Sequence, residues 1–332
     1  MRRIAYFLVL LTVVAIPMFA ETLNKLPMPT GLYQVGIAKY DLTDPSRKET
    51  EYPAGRLIPI QIYFPMQTGV HTLHNKILEE RTPAKWPPLD VKVYGQKADL
   101  TSSLDIESKH PVILLNHGDT VAMTDYAYIA EDLASHGYVV VSIQHQLKTD
   151  PDEPKFWKER SISKYGRVID NMLYVFEWLQ DNQTPMFNNT LDLEKVGLIG
   201  HSMGGNSLLL FANRASNVFK KKRTDTLFPH RAGTDVKEAI VVLDTGVPYP
   251  HHNQYPLFLI LSEEREAYQK KSSAYDDMIS IGHKVKYYKG SKHISFMDHG
   301  YIDPQNPLDP HEHLEVFMQD KQSCLPKKGT SL

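Results

Sequence analysis

Hydrophobic positions fall into short apolar runs and helical stripes that alternate from about residue 111 onward. The segments "PVILLNHG" (Pro111–Gly118), "YVVVSIQHQ" and "VGLIGHS" are runs typical of strands buried on both faces. Between them, "YAYIAEDLASHG" and "SKYGRVIDNMLYVFEWLQDN" space their apolar residues three and four apart, which predicts amphipathic helices. Further strands are predicted at "EAIVVLD", "YPLFLILSEE" and "HKVKYYKG", with a helix near "KKSSAYDDMIS". This alternation predicts an α/β fold, a mostly parallel central sheet with helices on both faces.

Two more strands are predicted before this region and form an N-terminal extension. "YQVGIAKYDLTD" and "RLIPIQIYFP" (Arg56–Pro65) are rich in β-branched and aromatic residues, and a polar loop separates them. With 332 residues, 42% of them hydrophobic, and no internal repeat, the chain predicts one domain over residues 21–332. We interpret residues 147–165 and 214–236 as irregular insertions that form either a lid or ordinary surface loops.

The N-terminus has the pattern of a targeting segment. Arg2 and Arg3 precede an apolar run, Ile4–Ala20, that ends at a small residue. This pattern predicts a secretory signal peptide over residues 1–20, and therefore a periplasmic or secreted protein. An uncleaved membrane anchor is the alternative that the same run leaves open.

Charge and cysteine content restrict the partners. The net charge of −2 and a single basic cluster, Lys220–Arg223, give no basis for a nucleic-acid partner. No protein partner is implied, and transient contact with a membrane surface stays open. Cys324 is the only cysteine, so no intrachain disulfide can form, and its polar surroundings argue against a nucleophile.

The stretch "LEKVGLIGHSMGGNSLLLF" contains the pattern G-x-S-x-G between a predicted strand and a predicted helix. That context is typical of a nucleophile elbow, in which Gly200 and Gly204 permit a sharp turn and Ser202 is exposed on it. A serine hydroxyl is a weak nucleophile and needs an adjacent base.

The base and its acid are expected at the carboxyl ends of later strands. His293 follows the last predicted strand, which suits the chain order serine, acid, histidine. The acid has more than one candidate, because Asp244 ends "EAIVVLD" while Glu263 or Glu264 ends "YPLFLILSEE". From the residues alone this choice stays open.

Other histidines are assigned no chemistry. His311 and His313 suggest a metal site, but no third ligand at a recognisable spacing accompanies them. His251 and His252 are interpreted as surface or pocket-rim groups. We therefore expect neither a metal ion nor an organic cofactor.

An oxyanion hole is expected beside Ser202. One donor would be the backbone N–H of Met203, the residue after the nucleophile. The other would be the N–H of Asp119, in the loop after "PVILLNHG", where Gly118 lets the backbone approach closely.

Taken together, "PVILLNHGDTVAMTDYAYIAEDLASHGYVVVSIQHQ", "GHSMGG", "VVLD" and "KGSKHISFMD" resemble the platelet-activating factor acetylhydrolase group of α/β-hydrolases. The resemblance covers about residues 30–300. It implies a triad of Ser202, Asp244 and His293, with oxyanion donors at Asp119 and Met203. The sequence departs from the group at Asp119, where an apolar residue is usual. A carboxylate that points inward at this position would oppose the oxyanion.

The resemblance implies an exported serine esterase that acts on short-acyl or oxidised phospholipid esters, or on small esters. Two alternatives remain. One is a dienelactone-hydrolase-like or peptide-cleaving hydrolase on the same fold, with Glu263 or Glu264 as the acid. The other is a catalytically silent binding protein, because a fold does not by itself establish activity.

Overall fold

A computed structural model of the protein describes residues 26–75, 92–147, 150, 157–214, 240–245, 257–269, 279–280, 284–298 and 300. Several sequence predictions fall outside these residues. They are the signal peptide, residues 215–236 of the second insertion, most of the helix near "KKSSAYDDMIS", the basic cluster, Cys324 and histidines 251, 252, 311 and 313.

The fold is built on one nine-stranded sheet. In chain order the strands are β1 (Tyr33–Asp44), β2 (Arg56–Thr68), β3 (His74–Asn75), β4 (Lys92–Val93), β5 (Gln96–Lys97), β6 (His110–Asn116), β7 (Val139–Ile143), β8 (Leu191–His201), β9 (Ile240–Leu243), β10 (Leu257–Ser262) and β11 (Lys284–Tyr288). The order across the sheet is β11-β10-β9-β8-β6-β7-β2-β1-β5, while β3 and β4 pair separately.

Most neighbours in the sheet are parallel. The strands from β11 to β7 all pair in parallel, whereas β2 pairs antiparallel with both β7 and β1. The predicted mostly parallel sheet with an N-terminal two-strand extension is therefore confirmed. Because parallel strands share one carboxyl edge, the ends of β6, β8, β9 and β10 lie together there.

The helices are α1 (Leu100–Ser103), α2 (Ala127–Ser135), α3 (Trp157–Asp181), α4 (Gln183–Phe187), α5 (Met203–Arg214) and α6 (Glu263–Gln269). A 3₁₀ turn covers His293–Phe296. The first insertion was predicted to be irregular to residue 165, but α3 already begins at Trp157. The last proline before it is Pro154, so no later ring interrupts the helix. Within the described residues, no helix is long and apolar enough to span a bilayer.

Alternate residues of the strands pack on opposite faces of the sheet. Val112 and Leu114 of β6 contact the core that includes residues of α3 and α5. Ile113 and Leu115 contact the second core, to which α2 contributes. Because alternate side chains are buried on both faces of the sheet, the strands are apolar throughout. Polar residues that could react are therefore expected at the strand ends.

Candidate active site

Ser202 lies at the sharp turn between β8 and α5, with its backbone at φ +50°, a region that non-glycine residues rarely adopt. Its two glycine neighbours have no room for a side chain. A Cβ at Gly200 would lie 2.6 Å from the backbone of Gly204, and a Cβ at Gly204 would lie 2.2 Å from the Asn116 carbonyl oxygen. The motif therefore forms a strained, tightly packed elbow between β8 and α5.

Asp244 and His293 meet beside this elbow. Asp244 directly follows β9, the neighbour of β8, and its Oδ2 lies 2.5 Å from Nδ1 of His293. The Ser202 N–H donates to Leu243 O at 3.0 Å, which ties the elbow to the end of the same strand. Within the described residues, the Ser202 hydroxyl makes no hydrogen bond to His293. In apo structures, hydrogen bonds of this kind are often long and tighten only when a ligand binds.

The Asp244 carboxylate is held in its ionised form. It is 1% exposed, and it accepts hydrogen bonds from His293 and from the Ser262 N–H at 2.7 Å. Burial alone would raise its pKa, but these hydrogen bonds bring the pKa below the usual value. An ionised, fixed carboxylate orients the imidazole and stabilises its protonated form.

The other candidate acids have a different position. Glu263 and Glu264 are the first residues of α6, and their side chains accept from backbone N–H groups of residues 290–293. This segment is called the base loop because it carries His293, the predicted base. Glu263 Oε2 receives Gly290 N–H at 2.7 Å, and Glu264 Oε2 receives His293 N–H at 3.2 Å. Both carboxylates thus support the backbone around His293, while Asp244 alone of the three contacts its ring.

The loop after β6 packs directly on the elbow. Gly204 N–H donates to the His117 carbonyl at 3.1 Å, and a Cβ at Gly118 would lie 3.5 Å from that of Ser202. Met203 is the first residue of α5, where backbone N–H groups lack partners inside the helix. Both predicted oxyanion donors thus belong to segments that adjoin Ser202.

The Asp119 carboxylate is balanced by a cation. Its Oδ2 forms an ion pair with Lys164 of α3, and its Oδ1 accepts from the Gln146 amide at 2.8 Å. These contacts offset the negative charge of Asp119, which the sequence analysis predicted to oppose an oxyanion if it pointed inward. The Lys164 side chain is 8% exposed and that of Asp119 is 38% exposed, so water screens the pair from the Asp119 side.

Two glutamines after β7 bind the loop that follows β6, residues 117–123, which is called the oxyanion loop for the role predicted for Asp119. The sequence interpretation missed both glutamines. Gln146 Oε1 accepts from Thr120 N–H and Gln144 Oε1 accepts from Met123 N–H, each at 2.8 Å. The Gln144 side-chain amide also donates to the backbone carbonyl of Gln146 at 2.7 Å, which connects the two residues directly. A signal was available, because polar residues at the carboxyl end of a buried strand are well placed for function.

A buried ion cluster anchors the segment that holds these glutamines. Arg56, fully buried at the start of β2, binds the Asp150 carboxylate and donates to His145 O at 3.0 Å. Tyr52 and Arg167 also donate to Asp150, at 2.8 and 3.1 Å. Burial would raise the pKa of Asp150, but its bonds to Arg56 bring that pKa below the usual value. The N-terminal extension therefore positions the site, although it contributes no reacting group.

Among the described residues, no group of three or more His, Cys, Asp or Glu side chains is arranged to hold a metal ion. The polar groups of the site bind one another, as in the pairs Asp244–His293 and Gln146–Asp119.

Comparison with known proteins points to esterases. The family model described as chlorophyllase matches residues 92–222, which include the oxyanion loop and the elbow. A platelet-activating factor acetylhydrolase of Canis lupus familiaris is 25% identical over 345 residues, covering 83% of this chain and 68% of the dog protein. The chain is a distant homologue of these enzymes within the α/β-hydrolase superfamily. The predicted resemblance is confirmed at that level.

Two shorter matches broaden the set. Chlorophyllase type 0 of Chenopodium album is 30% identical over 141 residues, covering 42% of this chain and 38% of that protein. Cutinase est1 of Thermobifida alba is 25% identical over 169 residues, covering 49% of this chain and 52% of that protein. The chain thus spans about half or less of these two relatives, and what they share with it is an esterase-type hydrolase core.

A solved structure gives the same fold. A ferulic acid esterase from Streptomyces cinnamoneus superposes with a TM-score of 0.55, covering 87% of this chain and 85% of that one. The identity is 16%, so this match establishes the α/β-hydrolase fold and leaves the chemistry to the site itself.

Proposed function

We propose that this α/β-hydrolase is a serine carboxylic-ester hydrolase that works through Ser202, His293 and Asp244. The observation that carries the proposal is the hydrogen bond of 2.5 Å between Asp244 and His293, formed next to a strained elbow that exposes Ser202. Ser202, Asp244 and His293 follow three different strands, and the proposal assigns them the nucleophile, acid and base roles of acyl transfer.

The hydrogen bond sets the direction of proton transfer. An ionised Asp244 can only accept, so His293 carries its proton on Nδ1 and has Nε2 free to take the Ser202 proton. The His293 side chain is 36% exposed, so the ring as a whole is in contact with solvent. As Ser202 attacks the ester carbonyl, Asp244 stabilises the imidazolium that forms.

The tetrahedral intermediate then needs donors for its oxygen. The N–H groups of Met203 and Asp119 are proposed for this role, since they belong to the two segments that adjoin Ser202. Collapse of the intermediate breaks the C–O bond, and His293 returns its proton to the leaving alcohol. Water activated by the same histidine releases the acid from the acyl-enzyme.

The proposed substrates are short-acyl or oxidised phospholipid esters, or small carboxylic esters. This choice rests on the match to the dog acetylhydrolase, which covers more of the chain than the matches to a chlorophyllase or a cutinase do. Alternatives that use Glu263 or Glu264 as the acid lose support, because Asp244 contacts the His293 ring and neither glutamate does. Peptide cleavage and a silent scaffold are separated from ester hydrolysis by the following test.

The test is hydrolysis of p-nitrophenyl esters, from acetate to palmitate, by residues 21–332 and by its Ser202→Ala variant. We expect activity that is highest for short acyl chains and lost in the variant. A fluorophosphonate that labels Ser202 stoichiometrically provides a second readout of the nucleophile. A folded protein with neither hydrolysis nor labelling would refute the proposal, and peptide substrates would then be tried.

Export is proposed from the sequence alone. Residues 1–20 would direct secretion and be removed, leaving a periplasmic or secreted enzyme. Cell fractionation and N-terminal sequencing of the mature protein test this directly. A membrane-bound product that keeps residue 1 would show that the segment is an uncleaved anchor and not a signal peptide.

A further inference from the structure

His201 precedes Ser202 in the elbow, yet the proposed mechanism gives it no task. It is the last residue of β8 and is 2% exposed. Its two ring nitrogens contact different parts of the site. Nδ1 lies 2.9 Å from the Tyr126 hydroxyl, and Nε2 lies 3.1 Å from the His293 carbonyl oxygen.

The direction of every hydrogen bond in this set follows from one fact. The His293 carbonyl can only accept, so Nε2 of His201 carries the proton and Nδ1 of the neutral ring accepts. The Tyr126 O–H must then donate to Nδ1, and the Tyr126 oxygen accepts from Gly118 N–H at 2.8 Å. A continuous hydrogen-bond network therefore runs from Gly118 N–H through Tyr126 and His201 to the His293 carbonyl.

The side chains of this hydrogen-bond network are closely packed. The rings of His201 and His293 lie 4.6 Å apart between centroids, tilted by 35°. A Cβ on Gly118 would come within 3.1 Å of His201 Nδ1 and 3.2 Å of the Tyr126 hydroxyl. The oxyanion loop, the elbow and the base loop are thus in direct contact through two side chains.

We propose that Tyr126 and His201 are positioning residues, which fix the oxyanion loop and the His293 loop relative to each other across Ser202. The inference rests on the proposed esterase function and extends it. Acyl transfer requires the base and the oxyanion donors to be placed accurately around one attacked carbon, and small displacements there cost much rate. A hydrogen-bond network with one end on each loop sets the distance between the base and the oxyanion donors before substrate binds.

His201 is suited to this role because it stays neutral. Burial, followed by the charge on His293, lowers its pKa to about 3. The ring therefore keeps its Nε2–H form while His293 gains and loses a proton during turnover. A charged ring would carry a proton on Nδ1 as well, and the Tyr126 hydroxyl would lose its acceptor.

The kinetic test compares Tyr126→Phe, His201→Phe and the double variant with wild type on the p-nitrophenyl ester that wild type hydrolyses best. Each single change should lower kcat about ten- to hundredfold with little change in KM, because orientation is lost and binding is not. Since both changes interrupt the same hydrogen-bond network, the kcat of the double variant should be no lower than that of the slower single variant. Tyr138→Phe is the matched control: it removes another buried tyrosine hydroxyl, at the amino end of β7, and should leave kcat unchanged.

A second measurement does not depend on turnover. ¹⁵N NMR of histidine-labelled wild-type protein should show His201, assigned by its loss in His201→Phe, as a neutral ring protonated on Nε2 between pH 5 and 8. An Nδ1–H or charged ring would overturn the inference, as would variants with wild-type kcat or strictly additive losses. Failure of the esterase proposal itself has a different signature, namely wild-type protein without hydrolysis or fluorophosphonate labelling.

Discussion

The Asp244 carboxylate and the His293 imidazole, 49 positions apart in the chain, are joined by a hydrogen bond of 2.5 Å. Asp244 itself has φ +41°, so the backbone after β9 turns sharply to present its side chain. The two glutamates that follow β10 bind backbone N–H groups of the base loop instead. Position in the sequence did not distinguish these acids, whereas their contacts do.

The first prediction uses that difference. Asp244→Asn should lower kcat by about 10³- to 10⁴-fold, because an amide neither fixes the productive tautomer nor stabilises the imidazolium. Glu263→Gln and Glu264→Gln keep an acceptor oxygen for the backbone N–H groups, so each should cost less than about tenfold. Steady-state kinetics of the three variants decide between them, with circular dichroism to verify folding. The reverse order of effects would move the acid to α6.

A second prediction concerns the charge beside the oxyanion position. Lys164→Met should lower kcat by about tenfold or more, because the Asp119 carboxylate loses the positive charge of Lys164 and then opposes the developing negative charge more strongly. Asp119→Asn keeps the acceptor for Gln146 and should have a smaller effect. The double variant should recover most of the loss. A double variant as slow as Lys164→Met would show that the lysine acts by another route.

The glycines of the elbow provide a third prediction, on stability. Gly204→Ala should lower the free energy of unfolding by about 3 kcal/mol, since its Cβ would overlap the Asn116 carbonyl and neither backbone segment is free to move. Gly166→Ala is the matched control in α3, where a Cβ would meet nothing within 4 Å. Helix propensity predicts that this change raises the unfolding free energy by about 1 kcal/mol. Urea denaturation measures both, and equal stabilities would contradict the packing of the elbow.

The fourth prediction is a loss of stability in mild acid. His117 is fully buried, and burial, the largest effect, lowers its pKa from 6.5 to about 4. Between these values the unfolded chain binds a proton that the folded protein does not, so stability is complete above pH 6.5 and falls as the pH drops toward 4. This one group accounts for about 3 kcal/mol over that range. His145 and His201 are shifted in the same direction and add to the loss.

Urea unfolding at several pH values checks this slope. The lowered pKa values of Asp44, Asp150 and Asp244 act below about pH 4, since their unfolded values lie near 3.8, so the histidines dominate the range above it. A His117→Gln variant should be less stable at pH 7 but show a shallower decline between pH 6.5 and 4. An unchanged slope in the variant would exclude His117 as a source.

Much of the fold was predictable because its signals are local. The strand over Tyr33–Asp44 was predicted with its observed bounds, and β6, β7, β8 and β10 were each placed to within a few residues. The two-residue strands β3, β4 and β5 were not, since their pairing depends on partners distant in the chain. The start of α3 was missed because its first turns follow a proline-containing polar segment that is typical of a loop.

The site divides in the same way. By itself the sequence determined the elbow and the candidate base, because glycine spacing and strand-end position are properties of a short stretch of chain. The tertiary structure decided which acid contacts His293, how Lys164 balances Asp119, and that Tyr126 and His201 connect two loops. Those outcomes depend on distances between side chains that are tens of positions apart, and such distances exist only once the strands are aligned in the sheet.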